Sequence, residues 1–110
     1  MSQFGGTFTI TATVPVRLIA TQTLVQEVFI EVIAAGTGSL RIMSGVPAGT
    51  TPAWGDSLTY AKVEIAPPSA TAPSTYSKIS PGGYNSLDLS SYWVDGTNTG
   101  DTVRWSAHQR

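Results

Sequence analysis

Thr7-Phe8-Thr9-Ile10-Thr11-Ala12-Thr13-Val14 alternates without a break. Phe8, Ile10, Ala12 and Val14 fall on one side and the four threonines on the other. A period of two marks a strand with one face on a core and one in water. The stretch from Val25 to Ala34 repeats the pattern. Val28, Ile30, Val32 and Ala34 share one face; Glu27, Phe29, Glu31 and Ile33 share the other. A helix is the rival reading of Leu24 to Ala35, which holds neither Gly nor Pro. Its β-branched density and its period decide for strand.

Working outward, Pro15 cannot donate to a ladder, so the first strand ends or bends there. Val16 to Ala20 reads as a short second strand. Gly36-Thr37-Gly38 reads as a turn with glycines supplying positive φ, answered by a returning strand from Leu40 to Ser44. Gly45 to Gly55, with Trp54 in it, is a loop, and Leu58 to Ala66 is a strand. Residues 67 to 75 hold three prolines and form an extended surface loop. Short strands then follow at Tyr76–Ile79, Tyr84–Leu89, Tyr92–Val94 and Thr102–Ala107. The turns Ser80-Pro81-Gly82-Gly83 and Asp95 to Asp101 separate them. About eight short strands predict an all-β fold, an antiparallel β-sandwich or a jelly-roll-like barrel.

At 110 residues the chain suits one domain, 1–110. Residues 1–6 read as an extended N-terminal arm, since they lack a periodic pattern. The opening residues carry no basic segment and no apolar stretch, which predicts no secretory leader. No apolar run reaches the length of a membrane span, so no membrane partner is expected. Only 12% of residues are charged, and the net charge is -1. The polar skin is therefore hydroxyl-rich, with 27 Ser and Thr. The six basic residues are scattered, which argues against nucleic acid.

Enzyme chemistry finds little support. There is no Cys, and the one histidine, His108, lies near a terminus expected to fray. Asp95 and Asp101 flank an oxygen-rich turn but lack the spacing of a calcium loop, and turn closure explains them better than a metal. Glu27 and Glu31 stand about 13 Å apart on one strand, wide even for an inverting glycosidase pair. No phosphate-binding loop is present. No metal and no cofactor are expected. The neighbours Tyr92 and Trp93 point to opposite faces, so one ring is outward or at an interface.

The stretch Val28 to Ile42 resembles small virion proteins of tailed phages, in which an apolar strand ends in a small-residue turn and a second strand answers it. The C-terminal half resembles the same family at Ile79-Ser80-Pro81-Gly82-Gly83, at Leu87 to Gly96 and at Gly100-Asp101-Thr102-Val103. Together these cover about half of the chain in the family's order. Gly45 to Thr75 departs from the pattern, being long and Pro-rich. The resemblance implies a head decoration, or cement, protein. Such a module is made in the host cytoplasm and sits on the outer capsid surface, bound to the major capsid protein, often as a homotrimer. The absence of Cys suits a reducing compartment. Few lysines, only Lys62 and Lys78, block sheet edges, which also favours association. The candidate subunit or capsid contacts are Phe4, Glu27, Phe29, Glu31, Trp54, Tyr92 and Trp93. The competing function is a carbohydrate- or receptor-binding module of a phage fibre or tail, and the placement of Trp54, Tyr92 and Trp93 discriminates the two.

Overall fold

A computed structural model describes residues 2–34, 36–55 and 60–110. The strands are β1 (Gln3–Thr9), β2 (Val16–Arg17), β3 (Leu24–Val25), β4 (Glu27–Val32) and β5 (Leu40–Ser44), followed by β6 (Ala61–Ile65), β7 (Ser74–Ile79), β8 (Leu87–Asp88), β9 (Trp93–Gly96) and β10 (Thr102–His108). Two single 3₁₀ turns, Pro81–Gly83 and Leu89–Ser91, are the only helical pieces among the described residues.

Every strand pairing is antiparallel, and the pairs nest. β5 pairs with β6, β4 with β7, β3 with β8, β2 with β9 and β1 with β10. The chain is thus one long hairpin of five strand pairs. Winding this hairpin brings β10 against β4 and β9 against β5. The result is a sandwich of two four-stranded sheets, β1-β10-β4-β7 and β2-β9-β5-β6, with β3-β8 as a small third sheet. This is the winding of a jelly roll.

The period of two sets the core. Val28, Ile30 and Val32 of β4 and Val103, Trp105 and Ala107 of β10 point inward from the first sheet. Leu40 and Ile42 of β5 and Val94 of β9 meet them from the second, and Leu89, Tyr92, Val25 and Ile10 close the ends. All are buried.

The alternation of Thr7–Val14 misleads about where its strand lies. β1 starts earlier, at Gln3, and stops at Thr9. At Ile10 the chain leaves the first sheet: the Ile10 amide donates to the Asp101 carbonyl at 2.8 Å, and Thr13 takes φ 63°. That corner carries the chain to the second sheet. Residues 3–6, expected as part of an arm, are instead an edge strand in register with β10, Gly6 opposite Trp105. The expected strand Thr102–Ala107 is seen as β10, and it runs on through His108, at the terminus expected to fray, between β1 and β4.

The long strand Val25–Ala34 is broken at Gln26, whose amide donates to the His108 carbonyl at 2.9 Å and whose carbonyl accepts from the Ser80 amide at 2.7 Å. Gln26 hands the chain from the small sheet to the first large one. Gly36 and Gly38 do not take positive φ. Gly38 is required for closeness instead, because a Cβ there would lie 2.6 Å from the Asn98 backbone nitrogen. Positive φ does occur in the Pro81–Gly83 turn, at Gly82 (71°) and Gly83 (73°). The strand expected over Leu58–Ala66 is seen as Ala61–Ile65; Leu58 and Thr59 lie outside the described residues. Tyr84–Leu89 yields only the two-residue β8, and Asp95 and Gly96 belong to β9 rather than to the following turn.

Candidate functional site

The two outer faces of the sandwich differ. On the second sheet, Met43 and Asp95 point outward by alternation yet are buried. The chain's own segment Gly45–Gly55 packs on this side of the sheet, and the Thr13 corner lies against Asp95. Pro52 of that segment is fully buried, the Trp54 ring lies 5.0 Å under the Arg41 guanidinium, and the Trp54 carbonyl accepts from Lys62 Nζ at 2.9 Å. Burial raises the Asp95 carboxyl above the ordinary carboxylate range. The Gly96 amide (2.6 Å to Oδ1), Arg41 and the Thr13 amide oppose that rise without cancelling it. Asp95 Oδ2 has no hydrogen-bond partner among the described residues.

The outer face of the first sheet is bare. Its cross-strand register places four residues in each row. The top row runs Gln3, His108, Glu27, Ile79. The middle row is Gly5, Ser106, Phe29, Ser77. The lower row is Thr7, Arg104, Glu31, Thr75. Phe29 is 37% exposed, and its row neighbours are all small, so its ring stands clear of a flat shelf. Ile79 (59% exposed) and Ile33 (38%) extend the apolar seam diagonally. Ion pairs frame it. Arg104 Nε donates to Glu31 Oε1 at 2.7 Å, and His108 Nδ1 lies 3.4 Å from Glu27 Oε1.

Carboxylate-oriented imidazole is also how a general base is held. No hydroxyl among the described residues is hydrogen-bonded to His108, and Glu27 and His108 are each about one-third exposed. The described residues hold no group of three or more His, Cys, Asp or Glu able to grip a metal ion. Asp95 and Asp101 do not converge. Asp95 lies on the covered face, and Asp101 accepts the amides of Thr37 (3.1 Å) and Gly38 (2.8 Å) and the Asn98 side chain (2.8 Å).

Of the expected contacts, Glu27 and Phe29 lie on the bare face. Glu31 shares that face but is buried beneath Arg104. Phe4 points inward against the core, and Tyr92 is part of it. Burial and the neighbouring Tyr76 phenol hold the Tyr92 hydroxyl far above the ordinary tyrosine range, so it stays neutral. Trp54 and Trp93 belong to the covered sheet, and each carries a guanidinium on its ring, Arg17 lying 4.9 Å over Trp93. A platform of open aromatic rings is therefore not formed by these three residues.

A cleft of about 390 Å³ opens beside Arg17, where the Gly45–Gly55 segment meets the 3₁₀ turn Leu89–Ser91. Sequence reasoning missed it, because its walls come from three separated parts of the chain: residues 17–22, 46–49 and 88–91. No helix among the described residues is long and apolar enough to cross a membrane. No family model matches the chain, and no curated protein or solved structure matches it either.

Proposed function

We propose that the chain is a non-enzymatic virion protein that decorates and stabilises a bacteriophage capsid by binding the lattice of its major capsid protein. The observation that carries this reading is the inequality of the two outer faces. One is packed on by the chain's own loop; the other is flat and bare and presents Phe29 between the His108–Glu27 and Arg104–Glu31 rows, with Ile79 and Ile33 exposed on either side. An apolar centre with a polar rim is the anatomy of a protein contact. The likeness to phage head proteins at Val28–Ile42 and across the C-terminal half supports the same reading.

Size adds to the argument. Four strands about 4.8 Å apart and about 20 Å long give a face of roughly 300 Å² in projection. A standard contact buries about 800 Å² per partner. One such face is a weak contact, and it becomes strong when several copies engage a repeating lattice together. A homotrimer on the outer capsid surface provides that multiplicity.

The test uses expanded empty heads of the phage whose genome encodes the chain. The protein should sediment with the heads and raise their melting temperature. Heads that neither retain the protein nor gain stability would remove the proposal.

A further inference from the structure

The cleft beside Arg17 lies on the side of the second sheet, away from the bare face. Its polar groups are fixed in place but keep hydrogen-bonding capacity. The Arg17 guanidinium lies 4.9 Å over the Trp93 ring, and its Nη1 donates to the Ala20 carbonyl at 3.1 Å. No hydrogen bond among the described residues uses its Nη2. Asp88 is held from the other wall. Its Oδ1 accepts the Ser90 amide (3.0 Å), the Ser90 hydroxyl (2.8 Å) and the Thr23 amide (3.3 Å). No hydrogen bond among the described residues reaches Asp88 Oδ2. Ser91 Oγ donates to the Asp88 carbonyl at 2.7 Å, leaving its oxygen able to accept.

Arg17 and Asp88 line one cleft without forming an ion pair. A fixed donor on one wall and a fixed acceptor on the other select a ligand that both gives and takes hydrogen bonds. A simple anion meets repulsion from Asp88, and a simple cation meets it from Arg17. The hydroxyls of a neutral sugar satisfy both. The serine hydroxyls suit further sugar O–H groups, and Val46 and Ala48 offer a small apolar surface for a C–H face. The volume falls within the range of small-molecule sites.

We propose that this cleft binds a neutral saccharide, with Arg17 donating to one of its hydroxyls and Asp88 accepting from another. The proposal is independent of capsid binding. On a shell contacted through the bare face, the cleft points outward, open to glycans in the surroundings.

The experiment needs only the free protein, so its outcome is separate from any test on heads. Neutral mono- to tetrasaccharides are titrated at millimolar concentration, and amide shifts are followed by NMR. At least one sugar should shift Gln22, Gly49 and Ser90 with a Kd of millimolar order or tighter. Arg17→Met keeps the stem packed and should weaken binding at least tenfold. Ala48→Trp fills the cleft from an exposed position and should do the same without a change in melting temperature. The proposal is overturned if no neutral saccharide moves these amides. It is equally overturned if a free amino acid, matching the same pair of charges, binds in their place, or if Ala48→Trp leaves sugar binding intact.

Discussion

The carboxylate of Asp101 accepts the amide hydrogen of Gly38 at 2.8 Å, tying the β9–β10 turn to the β4–β5 turn. The same carboxylate takes the Thr37 amide and the Asn98 side chain, so one buried group satisfies two loops. Hydrogen bonds to a charged acceptor contribute about 1.5–3 kcal/mol, and an orphaned buried donor costs about as much. Asp101→Ala should lower the free energy of unfolding by about 2–4 kcal/mol, read from urea denaturation. A loss below about 0.5 kcal/mol would show that water replaces the carboxylate without penalty.

Asp95 should act in the opposite sense. Burial raises its carboxyl in the folded state above the value it has when unfolded. Below the ordinary carboxylate range both states hold the proton, and Asp95 contributes no penalty. As pH rises through that range the unfolded chain ionises first, so stability falls until the folded group also ionises, and the penalty is then constant. Asp95→Asn removes the ionisation. Its stability at neutral pH should equal or exceed that of the native chain, and its stability should decline less between pH 4 and pH 7. Urea melts across that interval give the answer, and a steeper decline in the variant would contradict the assignment.

Phe29→Ser should separate assembly from folding. The ring stands on the bare face among Gly5, Ser106 and Ser77, and it is not part of the buried cluster. Its loss should cost about 1 kcal/mol or less of stability, the span of strand propensity. Head binding should fall much further, by about 2 kcal/mol or more, if the ring anchors the contact. Urea melts and co-sedimentation with heads report these two effects. Equal binding by both proteins would place the contact elsewhere.

Deleting residues 2–6 should destabilise the molecule itself. The cut removes the register from Gln3 to Gly6 and strips the Phe4 ring from the core. It also uncovers Trp105, which lies so close that a Cβ on Gly6 would sit 3.0 Å from its Nε1. Removing a packed Phe alone costs about 3 kcal/mol. In a chain of this size that lowers Tm by more than about 10 °C. A calorimetric trace that does not move would return this segment to the status of an arm.

The strand periods were legible because the two sides of a strand differ locally. Val28, Ile30 and Val32 face the core and Phe29 faces out, as their alternation indicates. The Ser80-Pro81-Gly82-Gly83 turn was legible for a similar reason, since Pro presets one backbone angle and Gly82 accepts φ 71°. The end of β1 was not. Nothing local distinguishes Thr9 from Thr11, and the ladder ends because its partner turns away before Thr102: the Ile10 amide still meets the Asp101 carbonyl in register, but the Ile10 carbonyl accepts from Gly100 while the Asp101 amide turns to Asn98.

By itself the sequence determined the all-β class, the inward set Val28, Ile30 and Val32 of β4 and the outward position of Glu27 and Phe29. Tertiary structure alone decided which outward positions meet water. Glu31 is covered by Arg104 from 73 residues away, Asp95 is buried beside Thr13 and Arg41, and the Arg17 cleft joins three distant stretches. The physical reason is that alternation specifies the side of a strand a residue occupies. What covers that side is brought there by the winding of the nested hairpin, and a period of two carries no record of it.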